Sequence, residues 1–294
     1  FWQRLKFYTI KVFNIQLLKF NYIMLYNLMR AILFPGQGSQ YVGMGSIFYE
    51  KFDIVKKIFK TVDETLGYSL SDLILNGPED KLKLTQNTQP AIMTVGVSIF
   101  KTLSENFNFN IKDFKFFAGH SLGEYTALVC AESLTLEKAA YLLHERGKAM
   151  QQAVPEGEGS MIAVIGMTII ELEKEINSLP KTEICEIAND NCAGQIVVSG
   201  TKKANNMLIE NLKNKKKRVV VLPVSAPFHC SLMKDALENM RDKIAKTDFF
   251  EPKIPIISNV TAKEESEING IKTLLVKQIT SRVRWRESVE YMIK

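Results

Sequence analysis

Gly119-His120-Ser121-Leu122-Gly123 constrains this chain more than any other segment. A β-like run, Phe114 to Ala118, leads into it, and a helix-like run, Glu124 to Ser133, leads out. G-x-S-x-G between a strand and a helix reads as a nucleophile elbow. The sharp turn strains the serine and lifts its Oγ clear of the sheet, while the glycines remove side chains that would clash. Ser121 is therefore a candidate covalent nucleophile, and the Leu122 amide, at the start of the new helix, can face a developing oxyanion. The purely structural alternative is a small residue in a tight βα turn.

The chain of 294 residues is long enough for one elaborate domain or a domain carrying an insert. Its net charge of +6 is misleading. Residues 1–30 hold Arg4, Lys6, Lys11, Lys19 and Arg30 and no acid, and taking those five away leaves +1, so the body makes no case for a nucleic-acid partner. Cys130, Cys185, Cys192 and Cys230 form no C-x-x-C pair, so neither a metal site nor a disulfide framework is expected, and a reducing compartment is. No run approaches the ~20 apolar residues of a membrane span. Residues 1–28, aromatic, basic and free of serine, are expected to be an extra segment outside the fold, with Met29 or Met24 as the biological start.

Along the chain, Ala31–Phe34 reads as a first strand running into the glycine-rich loop Pro35-Gly36-Gln37-Gly38-Ser39-Gln40. That loop lacks the Gly-Lys-Ser/Thr ending of a P-loop. Helical periodicity covers 47–66 and 82–84. A further helix is expected to start at Gln89-Pro90-Ala91, with Pro90 near its first position, and another covers 136–152. From Gly159 the order becomes strand 161–166, helix 169–179, strands 184–188 and 195–199, helix 203–212 and strand 218–224. That β-α-β-β-α-β order is the ferredoxin-like motif. The expected class is α/β: a large subdomain over 29–153 and 224–294, with 154–223 inserted as a small subdomain between joints at 155–157 and 223–227. The basic run Lys213, Lys215, Lys216, Lys217, Arg218 reads as a solvated helix end, with docking of an acidic partner as the alternative.

A serine nucleophile needs a base, and the chain has three histidines. His120, beside Ser121, is expected to point away, and His144 lies in a helix. His229, in the loop Ala226-Pro227-Phe228-His229-Cys230, follows Ser121 by 108 residues, the nucleophile-before-base order of α/β-hydrolase-like sites. Asp190 is the only tempting third member of a triad. It falls in the small subdomain, so a Ser-His dyad oriented by something other than a carboxylate is expected.

Phe34-Pro35-Gly36-Gln37-Gly38-Ser39-Gln40, Thr88-Gln89-Pro90-Ala91, Gly119 to Tyr125, Arg146-Gly147, Phe228-His229 and Gln278 followed by Val283-Arg284-Trp285 resemble, in order, the malonyl-CoA:acyl carrier protein transacylases of type II fatty-acid synthesis. The resemblance spans about 30–294. It implies an α/β-hydrolase-like large subdomain with a ferredoxin-like insert. It also implies that Ser121 attacks a malonyl thioester with His229 as base, that amides of Gln37 and Leu122 hold the oxyanion, and that the phosphopantetheine thiol of acyl carrier protein then takes the malonyl group. By the same resemblance Arg146 binds the malonyl carboxylate, and the Gln278 carbonyl orients His229. Gln89, Asn189 and Gln195 line the pocket, and the bulky ring of Phe228 leaves little space for an α-methyl.

The implied substrates are malonyl-CoA and phosphopantetheinylated acyl carrier protein, the latter a transient partner, with no bound cofactor. A monomer is expected, in the cytoplasm of a bacterial-type cell or in an organelle with type II fatty-acid synthesis. The family pattern continues past Glu290-Tyr291-Met292 through a Gly-Pro-Gly turn and a closing helix, so a C-terminally incomplete chain is expected. Two other readings compete: a serine hydrolase (esterase or patatin-like lipase) using the same elbow, and a non-catalytic carrier-binding module.

Overall fold

The computed structural model describes residues 30–107, 109–224 and 226–294. The expectations for residues 1–28 and for the starting methionine lie outside the described residues, as does Ser225 in the second expected joint.

β1 (Arg30–Phe34) opens the fold and is followed by α1 (Ser46–Lys51), α2 (Asp53–Leu66), α3 (Leu70–Asn76), α4 (Glu79–Lys83) and α5 (Thr85–Asn106). β2 (Phe114–Gly119), α6 (Gly123–Cys130) and α7 (Leu136–Gln152) carry the elbow and the helices behind it. A second group comprises β3 (Gly159–Ile165), α8 (Ile169–Asn177), β4 (Cys185–Cys192), β5 (Gln195–Thr201), α9 (Lys202–Asn214) and β6 (Arg218–Val221). The chain then adds α10 (Lys234–Lys246), β7 (Ile256–Ile257), β8 (Glu264–Glu265), α11 (Ile268–Gln278) and α12 (Trp285–Ile293). Among the described residues no helix is long and apolar enough to cross a membrane.

The first sheet runs β1-β2-β7-β8, with β1, β2 and β7 parallel and β8 antiparallel at the edge. β2 therefore sits inside the sheet, and the carboxyl ends of three parallel strands meet on one side, where open α/β sheets build their sites. The second sheet is antiparallel in the order β4-β5-β3-β6, the arrangement expected of the β-α-β-β-α-β order. Its two faces divide by the strand alternation. Ile162, Val164, Ile196 and Val198 pack under α8 and α9, whereas Met161, Ala163, Ala188 and Val197 join the main core.

Local chemistry accounts for several helix ends. Val55, Ile58, Phe59 and Val62 give α2 a buried stripe at helical spacing, and Gly67 closes it at φ 75°. Thr168 and Glu171 form a reciprocal capping box on α8. The basic run closes α9 as a solvated helix end, with Lys215 paired to Glu175 at 2.5 Å.

Two helix expectations need correction. The helix expected over 47–66 breaks at Phe52, whose backbone is extended (φ −126°) and whose ring packs against Phe48 and Phe107. Apolar spacing carries through this break, so periodicity could not reveal it. Pro90 does not open a helix either: α5 begins at Thr85, and Pro90 lies inside it. A proline there deprives the carbonyl four residues earlier of its donor. His144 of α7 supplies a replacement, with Nδ1 3.2 Å from the Gln86 oxygen.

Candidate active site

Ser121 sits at φ 54°, in the left-handed region that non-glycine residues rarely adopt. The glycines beside it allow this because a Cβ on Gly119 would lie 1.8 Å from the Gly123 carbonyl carbon, and one on Gly123 would lie 2.6 Å from the Phe34 oxygen. The elbow is thus wedged against the end of β1. The His120 amide donates to the same Phe34 oxygen at 3.0 Å, so the loop carrying Gln37 leaves β1 beside the elbow, and Leu122 is the N-cap of α6.

His229 Nε2 lies 2.8 Å from Ser121 Oγ, and its Nδ1 lies 2.9 Å from the main-chain oxygen of Gln278. A carbonyl only accepts, so Nδ1 carries the proton and Nε2 is free to take one from the serine. His229 is also left-handed, at φ 60°. Burial, then the nearby Arg146 charge, push its imidazole down to about 3. The base is therefore neutral across the physiological range.

The Arg146 guanidinium is 1% exposed. It donates through Nη1 to Gln89 Oε1 at 2.8 Å, and through Nη2 to Ser121 Oγ at 3.1 Å and Gln278 Oε1 at 2.8 Å. Its Nε–H is buried without a partner among the described residues. Gly147 makes this position reachable. A Cβ there would lie 2.6 Å from both Gln86 Cα and the Thr85 oxygen, so α7 touches α5 and brings Arg146 to Gln89.

The hydrogen bonds therefore join Ser121, His229, Arg146, Gln89 and Gln278 into one cluster. Phe228, one residue before the base, is buried in the main core. Asn189 and Gln195 are not joined to this cluster by any of these hydrogen bonds: Asn189 is a buried residue of β4 whose backbone lies beside Val283, and the Gln195 Oε1 accepts from the Cys192 thiol at 3.6 Å. Asp190 is occupied by Arg286, with Nη2 at 2.8 Å, and takes no part in orienting His229. His120 points away from the nucleophile, with Nε2 2.9 Å from Asn191 Oδ1 and its ring against Trp285.

Two residues that support the site escaped the sequence reading. Asn259 accepts from the Ser121 amide at 2.7 Å and donates to the Gly119 oxygen at 2.8 Å, stapling both sides of the elbow. It follows β7, and the only trace of that strand is the short run Ile254-Pro255-Ile256-Ile257 ending in polar residues. Glu124, 3% exposed, accepts from Gln278 Nε2. As an acidic residue in the first turn of α6 it reads as ordinary helix-end chemistry.

Comparison with known proteins agrees with this geometry. The acyl transferase domain family matches residues 32–293. The malonyl CoA-acyl carrier protein transacylase of Bacillus subtilis is 42% identical over 265 residues, covering 90% of this chain and 82% of the relative. The solved malonyl CoA-acyl carrier protein transacylase of Coxiella burnetii superposes with a TM-score of 0.86 at 38% identity, over 90% of this chain and 83% of that one. A holo complex of a type II PKS acyl-carrier protein with its malonyl-transacylase superposes with a TM-score of 0.86 at 37% identity, over 90% and 84%. A strained serine on an elbow, a histidine oriented by a main-chain carbonyl and an arginine buried against the nucleophile thus sit in a chain that belongs to the acyl transferase family, among the malonyl CoA-acyl carrier protein transacylases.

Proposed function

We propose that this chain moves a malonyl group from malonyl-CoA to the phosphopantetheine thiol of an acyl carrier protein. The observation that carries the acyl choice is the buried Arg146 guanidinium 3.1 Å from Ser121 Oγ. A buried cation beside the nucleophile favours an acyl group that ends in a carboxylate.

In the first half-reaction Ser121 Oγ attacks the thioester carbonyl while its proton passes to His229 Nε2. The oxyanion is held by the amides of Gln37 and Leu122. The C–S bond then breaks, and the imidazolium returns the proton to the CoA sulfur, leaving a malonyl-serine ester. In the second half-reaction the carrier thiol gives its proton to Nε2, its sulfur attacks the ester, and the serine oxygen leaves with the proton. The malonyl carboxylate on Arg146 neutralises a charge that depresses His229, so the substrate raises the basicity of the group that activates it.

No cofactor takes part in this scheme, residues 154–223 act as the inserted small subdomain, and the protein works as a cytoplasmic monomer. Asn189 and Gln195 line the approach to the serine, and Phe228 limits the acyl group at its α-carbon.

Incubation with malonyl-CoA followed by intact-mass measurement tests the proposal. The expected adduct is about 86 Da, one malonyl group, on Ser121, and it is discharged by carrier protein. Arg146→Ala sharply lowers malonyl transfer and spares acyl groups without a carboxylate. Malonyl turnover that survives this change overturns the reading, and an adduct discharged equally fast by water points to the hydrolase.

A further inference from the structure

Glu124 and Asp190 are both buried carboxylates, and among the described residues only Asp190 forms an ion pair. Asp190 is paired with Arg286. Among the described residues, Glu124 instead meets donors: Gln278 Nε2–H, the Asn259 amide at 3.4 Å, and the Ser258 hydroxyl. These donors favour the charged form, and among them only the Ser258 hydroxyl could accept a carboxyl proton.

The Gln278 side chain stands between this carboxylate and the guanidinium. Its Nε2 donates to Glu124 and, at 3.1 Å, to the Ser121 oxygen, while its Oε1 accepts from Arg146 at 2.8 Å. Turning the amide over would set NH2 against the donors of Arg146 and C=O against the carboxylate. Both contacts would be lost together.

We propose that Glu124, as a carboxylate, is a positioning residue: it fixes the Gln278 amide in the orientation that presents Oε1 to Arg146, and so aligns the guanidinium on Ser121. This rests on the acyl-transfer reading above. Other charged or titratable groups facing Glu124 are Arg146 of α7, Tyr125 of α6 and Glu265 of β8, the last across a small cavity also lined by Ile256, Ser258 and Ile271. Burial pushes the Glu124 carboxyl up to about 7, against the pull of its donors. The aligned state is then lost on the acid side of neutrality.

Glu124→Gln in the full chain is the test, with a melting curve to verify folding. E124Q raises the malonyl-CoA KM about tenfold, and Gln278→Ala added to it brings no further rise, because contacting residues that act through one another do not add. Labelling of Ser121 by a fluorophosphonate needs no carboxylate clamp and stays within about twofold of wild type. In the wild-type chain, kcat/KM for malonyl-CoA falls as pH drops through about 7 while labelling does not, and E124Q loses that fall.

Losses that multiply in the double variant overturn the proposal. So does a parallel loss of transfer and labelling, the mark of a structural role. If E124Q does not fold, the wild-type pH profile decides, and a flat one overturns the proposal. A wild-type chain that takes no malonyl overturns the acyl-transfer reading and the proposal with it, whereas wild-type transfer with unchanged E124Q overturns the proposal alone.

Discussion

His229 is oriented by the main chain of Gln278, 2.9 Å from its Nδ1, and among the described residues by no carboxylate. The side chain of the same residue serves Arg146 and Glu124, so one residue performs two separable tasks. Gln278→Ala keeps the carbonyl and is expected to leave fluorophosphonate labelling of Ser121 within about an order of magnitude of wild type. His229→Ala, which removes the base itself, lowers it by roughly 10²–10⁴-fold. Labelling rates of the two variants check this directly.

Asp190 reads in the sequence as a possible triad acid, and the structure gives it to Arg286. Asp190→Asn is therefore expected to weaken the fold by about 1–3 kcal/mol, the usual loss of a charged hydrogen bond, while leaving Ser121 reactive. Urea unfolding together with serine labelling separates the two effects. A large fall in labelling at unchanged stability would revive the triad.

Gly147 permits the contact of α5 with α7. Gly147→Ala places a methyl 2.6 Å from Gln86 Cα, against backbone that cannot move aside cheaply. The expected outcome is a loss of about 1–3 kcal/mol, with a raised KM for malonyl-CoA because Arg146 is carried away from Gln89. Melting temperature and steady-state kinetics measure the two consequences.

Stability has opposing pH dependences on its two sides. The His229 imidazole drops from its ordinary 6.5 to about 3, first through burial and then through Arg146. Between those values the unfolded chain alone binds the proton, so this contribution is lost as pH falls through the window. Glu124 rises from 4.5 to about 7, first through burial. There the folded chain alone holds the proton, so its contribution is complete below about 4.5 and is lost as pH rises through 7. Urea unfolding from pH 5 to 8 is expected to show E124Q without the decline towards pH 8.

How much of this was legible depends on where the information lies. The elbow, the base His229 and the strand order from 159 to 221 rest on local chemistry: glycines that only a close approach explains, a histidine in a loop with no packing purpose, and a switch of hydrophobic period, whereas the Gln278 carbonyl that orients the base comes only with the family resemblance. Phe52 breaks a helix inside an unbroken apolar pattern, so its signal is tertiary. Pro90 misleads because its usual place is a helix start, and the compensation comes from His144 in another helix. Asn259 follows a strand of two residues, and Glu124 is disguised as a helix-end charge. Both owe their importance to partners more than 130 residues away.

That separation has a temporal meaning. During synthesis Ser121 emerges long before His229, and His229 before Gln278. A nascent chain can form the elbow against β1 early, yet its serine has no oriented base until about fifty more residues than His229 have left the ribosome. The reactive oxygen thus gains its oriented base only when a contact reaching back from Gln278 to His229 closes, so a half-made chain meeting a cellular thioester lacks the group that would activate its serine.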